Sequence, residues 1–146
     1  LSYYSKGPGV AWAIWASTSI FGHAEWAIRL PAAIASLVAT FAIARLAQRC
    51  AGGDARAAFL AAAAFCLVPA FQATSMLMTI DMPYIACWAV AALAAGEMLV
   101  RQDAGPVGAA WAAALGLAIG VGFPFKYTML LLLPGRLLSG WRRAPG

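Results

Sequence analysis

The sequence predicts an all-α fold, a polytopic bundle of about five transmembrane helices with an interfacial helix near the N-terminus. Three observations carry that reading. Hydrophobic residues make up 64% of the 146 positions and charged residues only 10%, where a soluble domain carries about 25%. Several uninterrupted apolar runs reach the length needed to cross a bilayer, and mean hydropathy is +0.81. The basic residues also separate by side once the runs are threaded, as membrane proteins require.

Residues 1–29 read as an external loop that contains the interfacial helix. Residues 10–21 are apolar and aromatic but too short to span, and Trp12, Trp15 and Trp26 suit the headgroup level. This helix lacks the lysine-rich polar face of a typical amphipathic anchor. The first span is read at 30–48, with Pro31 in the first turn, where a missing N–H costs nothing. Arg45 and Arg49 can snorkel to the surface at its end.

The second span, 57–80, is the longest uncharged run and contains Pro69, which neighbouring helices can cover. Span three follows at 83–100. Glu97 near its end has the i,i+4 spacing for an ion pair with Arg101. Span four, at 107–125, carries Gly116 and Gly120, a weak small-xxx-small pair in a chain this rich in alanine and glycine. A short fifth span is read at 127–141. All of these belong to one membrane domain.

Threaded this way, Arg45, Arg49, Arg56, Arg101, Arg136, Arg142 and Arg143 share one face, seven of the ten basic residues. By the positive-inside rule that face is cytoplasmic. The net charge of +5 therefore needs no nucleic-acid partner, and no basic run is interleaved with exposed polar surface. Cys50, Cys66 and Cys87 are an odd number, two of them inside apolar runs. They read as small packing residues rather than a disulfide framework or metal site. His23, with no second histidine or cysteine beside it, reads as a polar interface residue. No Walker, Rossmann, HExxH, GxSxG or CxxC pattern is present.

The outer face carries the candidate chemistry. Lys6, Asp81 and Lys126 each stand alone at the boundary of an apolar run, beside a proline or glycine. An ionisable group held at that depth is a functional candidate by default. Together, two ammonium groups and a carboxylate could hold an anionic headgroup and orient a polar acceptor. Singly, the lysines read equally as interfacial anchors and Asp81 as a helix cap ahead of Met82-Pro83. Glu25 and Arg29, also on this face, have the i,i+4 spacing of a helical pair.

Three blocks resemble the polytopic glycosyltransferases that use polyprenyl-phosphate sugars, of the protein O-mannosyltransferase and lipid A aminoarabinose transferase type, with a GT-C fold. They are Tyr4-Ser5-Lys6-Gly7-Pro8-Gly9 through the Phe21-Gly22 and Arg29-Leu30-Pro31 turn, then Asp81-Met82-Pro83, then Gly122-Phe123-Pro124-Phe125-Lys126-Tyr127. The resemblance implies transfer of a sugar from a polyprenyl-phosphate donor to an acceptor lipid, glycan or protein. The active face would be periplasmic, in a bacterial inner membrane.

It also implies residue roles. Lys6, Lys126 and Tyr4 would contact the donor's lipid phosphate, Asp81 would be catalytic, and Arg29 and Glu25 would support the cavity or its interface. The departures are Gly7 for the motif's first proline, and Pro8 followed by Gly9 rather than leucine. The family's leading catalytic acid, in an Asp-Glu pair upstream of the tyrosine-lysine segment, is expected to lie before this chain. The upstream first span, further spans and a large external domain are likewise expected outside it, and the piece alone is expected to be inactive.

The residues assign no certain cofactor. Relatives are expected to hold a divalent metal near the cavity in some cases, but no ligand set for one is visible here. The competing readings are a transporter or flippase bundle that binds an anionic lipid or solute without chemistry, and a purely structural assembly subunit.

Overall fold

The computed structural model describes residues 8–101 and 105–131. Among these, the chain forms six α-helices and a closing 3₁₀ turn: α1 (Gly9–Phe21), α2 (Glu25–Cys50), α3 (Ala55–Leu67), α4 (Pro69–Met76), α5 (Asp81–Arg101), α6 (Pro106–Gly122) and the turn Tyr127–Leu131. The all-α bundle is as expected. Lys6, Tyr4 and most of the 127–141 span lie outside the described residues.

The packing is that of a membrane bundle. The buried side chains are largely alanines, among them Ala27, Ala32, Ala39, Ala91 and Ala94, whereas Trp15, Phe41, Phe59, Leu60 and Leu117 are exposed. Burying bulky apolar groups gains little when the surroundings are lipid, so small residues collect where helices meet and let their backbones approach.

α5 is the central helix and packs on both α2 and α6. Ala35 and Ala39 of α2 meet Met82 and Ala86 of α5, with Phe65 of α3 completing the cluster. Further along, Gly96 of α5 faces Leu46, and Arg49 Nε reaches Glu97 Oε1 at 2.6 Å. Residues late in α2 thus meet residues late in α5. The two helices run parallel, with α3 and α4 making the return.

α2 and α5 are long and apolar enough to cross a membrane, and α3 with α4 makes a third crossing if the bent pair counts as one. Among the described residues that makes two or three of the four spans read there, and the fifth, 127–141, lies mostly outside them. α6 has 17 residues and rises only ~26 Å, short of a ~30 Å hydrocarbon core.

Pro31 is not at a helix start. α2 begins at Glu25, before the boundary expected at residue 30, and Pro31 lies inside it. A proline there removes the N–H that the carbonyl four residues earlier, that of Ala27, would accept. Ser17 supplies the missing donor: its hydroxyl, buried in α1, donates to the Ala27 carbonyl at 2.6 Å. The bond repairs α2 and fastens α1 to it.

The second expected span is broken rather than gently kinked. Pro69 disfavours helical geometry at the residue before it, and Val68 is extended, with φ −73° and ψ 116°. Pro69 then starts α4 as its first residue, where its ring is welcome. The two halves meet at 69°. Gln72 caps the break by donating from Nε2 to the Cys66 carbonyl at 2.6 Å, and Phe65 stacks on Phe71 at 4.5 Å.

The turn from α2 to α3 uses Gly52 and Gly53 at φ +68° and +101°, where a side chain would be strained. Asp54 then caps α3, accepting from the Arg56 N–H at 2.8 Å. Glu97 pairs across helices with Arg49, and only 3% of its side chain is exposed; the side chain of Arg101 lies outside the described residues. Gly116 and Gly120 are not close-contact positions, since nothing lies within 4 Å of where their Cβ atoms would sit. Gly122 is one, with Cys87 Cβ 2.9 Å from the same point.

Candidate functional site

The start of α5, the end of α6 and the start of α1 converge at the end of the bundle opposite Arg49 and Glu97. Asp81 is the first residue of α5, where the unpaired N–H groups of the first turn favour a carboxylate. α6 ends as Gly122 accepts from the N–H groups of Phe125 and Lys126, at 3.1 and 3.2 Å. This tight turn carries Lys126 back across the face of α5.

Lys126 Nζ stands 3.6 Å from Asp81 Oδ1. Two of the three candidate charges, 45 positions apart in sequence, therefore meet. The separation is longer than a good hydrogen bond, and the side chains are 42% and 46% exposed. Such an open ion pair contributes little to stability, but both groups remain reachable by a ligand.

Sequence reasoning missed two residues here. Tyr84 lies one turn after Asp81 in α5, with its ring centroid 5.2 Å from Lys126 Nζ. Its hydroxyl is 2.7 Å from Thr128 Oγ1. The signal that could have found Tyr84 is its i,i+3 spacing from Asp81, which puts both on one helical face. Thr128 lies two residues past Lys126 and gives no comparable signal.

The N-terminal turn docks beside the pair. Gly9 N–H donates to the Pro124 carbonyl at 3.1 Å. A Cβ on Gly9 would sit 3.0 Å from the Phe125 ring and the Pro124 backbone, so the close approach favours glycine.

Glu25 and Arg29 pair with each other across one turn of α2, both well exposed. Among the described residues their charges are met within α2 and are not brought to Asp81 or Lys126. His23 is exposed as well. Among the described residues, no group of three or more His, Cys, Asp or Glu side chains is arranged to hold a metal ion.

Next to the pair lies an apolar groove of about 400 Å³ between α1, α2, α5 and α6. Its walls include Ala16, Leu30, Ile34, Pro83, Val121 and Phe125. Pro83 is two residues from Asp81, and Phe125 adjoins Lys126. A cation, a carboxylate and an apolar trough thus stand side by side at one end of a membrane bundle.

An all-α bundle whose long helices are apolar enough to cross a bilayer defines a class, the polytopic integral membrane proteins. Residues 5–141 match the family model of dolichyl-phosphate-mannose-protein mannosyltransferases, and the chain belongs to that family. Over 140 residues it is 29% identical to the lipid A galacturonosyltransferase RgtD of Rhizobium johnstonii, covering 95% of this chain and 28% of that protein. The chain therefore spans less than a third of the length of this relative. No solved structure matches it.

Proposed function

We propose that this chain is the part of a membrane glycosyltransferase that receives the phosphate end of a polyprenyl-phosphate sugar, on the non-cytoplasmic side of the bilayer. The observation that carries the reading is the meeting of Asp81 and Lys126 at 3.6 Å beside the apolar groove. The groove offers a dry surface for a prenyl chain, and the ammonium offers a counter-charge for its phosphate. Family membership supports the reaction class, and the similarity to a lipid A galacturonosyltransferase supports a sugar transfer at a lipid surface.

Two further observations support the side and the missing partner. Arg45, Arg49 and Arg56 lie at the opposite end of the bundle from Asp81, as the positive-inside rule asks of a cytoplasmic face. Gly9 is docked on Pro124, and Lys6 precedes it by three positions, a distance the chain covers in at most ~11 Å. Lys6 with Tyr4 is thereby a candidate second contact for the phosphate.

In the proposed reaction an acceptor oxygen attacks the anomeric carbon of the sugar. The bond from that carbon to the phosphate oxygen breaks, and the electron pair leaves with the polyprenyl phosphate. Negative charge grows on the phosphate, and a fixed ammonium stabilises it most where water is excluded. Asp81 takes the acceptor proton or orients the acceptor hydroxyl. An arriving phosphate also competes with Asp81 for Lys126, which frees the carboxylate to face the acceptor.

The test is sugar transfer by the full-length protein in native-like membranes. Asp81→Asn and Lys6→Met are expected to abolish it, with expression and insertion unchanged. Loss of a positioned base alone is worth roughly 10²–10⁴-fold. Normal transfer by both variants would overturn the site. Intact binding of the lipid phosphate by a wild-type protein that transfers no sugar would instead favour a transporter or flippase.

A further inference from the structure

We infer that Tyr84 is a positioning residue for Lys126, setting where the ammonium meets a lipid phosphate. The inference rests on the proposed role of Lys126 and adds a residue that no motif pointed to. Tyr84 holds Lys126 from two directions. Its ring lies under the ammonium, centroid to Nζ 5.2 Å, where the negative face of the π system attracts a cation. Its hydroxyl is 2.7 Å from Thr128 Oγ1, which ties the ring to the short segment that carries Lys126.

The other side of Tyr84 is fixed too. Its ring packs edge-on against Trp88, with centroids 6.2 Å apart and planes at 71°, and both rings lie against the cluster of Ala91, Ala118 and Met129. A lysine side chain has four rotatable bonds and loses much freedom when held. Here the ring limits where Nζ can go before any ligand arrives. Asp81 occupies one side of the ammonium and the ring another, and the remaining exposed side is left for the phosphate. Without the ring, Lys126 is free to close on Asp81 as a tight ion pair that a phosphate must break.

The experiment measures the Kd for undecaprenyl phosphate with the full-length protein in nanodiscs. Tyr84→Leu is expected to weaken binding five- to tenfold. Tyr84→Phe and Thr128→Val, which break the same hydrogen bond and keep the ring, are each expected to weaken it two- to threefold, and together no more than either alone. In a Lys126→Met background, Tyr84→Leu is expected to add no further loss.

An unchanged Kd for Tyr84→Leu, or an equal loss with and without Lys126, would overturn the inference, because a role in packing alone is indifferent to Lys126. The wild-type controls keep the two ideas apart. Binding without sugar transfer sinks the transferase reading and leaves Tyr84 in place, whereas transfer with no Tyr84–Lys126 coupling sinks only the Tyr84 role. Wild-type protein that does not bind undecaprenyl phosphate overturns both.

Discussion

Replacing Ser17 by alanine tests whether a side chain in α1 completes the backbone of α2. Pro31 leaves the Ala27 carbonyl without its helical donor, and the Ser17 hydroxyl is the donor in its place, at 2.6 Å and buried. Ser17→Ala therefore leaves a buried carbonyl unpaired, at a cost of about 1–3 kcal/mol. Pro31→Ala restores an N–H at the right position, so in that background the carbonyl stays paired when Ser17 is lost. The serine change should then cost only about 0.5 kcal/mol, the lower end for an ordinary hydrogen bond. The expected coupling is on the order of 1.5 kcal/mol, within the range for groups that share a partner. The assay is unfolding of the full-length protein in mixed micelles, for the wild type, both single variants and the double. Equal costs of Ser17→Ala in both backgrounds would refute the reasoning.

Two other expectations follow from contacts at the helix interfaces. Arg49→Met should destabilise the protein by about 2 kcal/mol, because it strips a counter-ion from the buried Glu97 carboxylate. That figure lies below the usual 3–5 kcal/mol for a buried pair, since Arg49 itself is over a third exposed. Arg45→Met, in the same unfolding assay, should stay within about 0.5 kcal/mol. Gly122→Ala should cost about 1–3 kcal/mol by forcing α5 and α6 apart at Cys87. Gly116→Ala and Gly120→Ala, which point into open space, should instead stabilise by about 0.5–1 kcal/mol each.

What the sequence made legible was set by single residues whose cost depends little on context. A lone lysine or aspartate at the end of an apolar run is conspicuous, which is why Asp81 and Lys126 stand out as candidates, and the structure brings the two together. The break at Pro69 was visible as a proline, but its 69° turn depends on how Val68, Gln72 and Phe71 settle around it. Pairwise partners were the least legible. Glu97 has an arginine at helical spacing, and nothing nearby in the chain pointed to the Arg49 that reaches it from another helix. Gly116 and Gly120 fit a packing motif, whereas the close approach falls on Gly122. Pro31 read as a helix start because the missing N–H is harmless there, and nothing local announced that Ser17 would substitute for it. Tyr84 looked like one more aromatic in an apolar run until the turn after α6 brought Lys126 over it.

The contact between Gly9 and Pro124 sets an order of events during synthesis. The first helix is made early, but the carbonyl that receives Gly9 emerges only after α2 to α6 have been translated. Until then the leading turn has nowhere to dock, and Asp81 has no lysine beside it. The contact is thus made only after α2 to α6 exist, and a ribosome that stalls before Pro124 leaves those helices without it and Asp81 without Lys126.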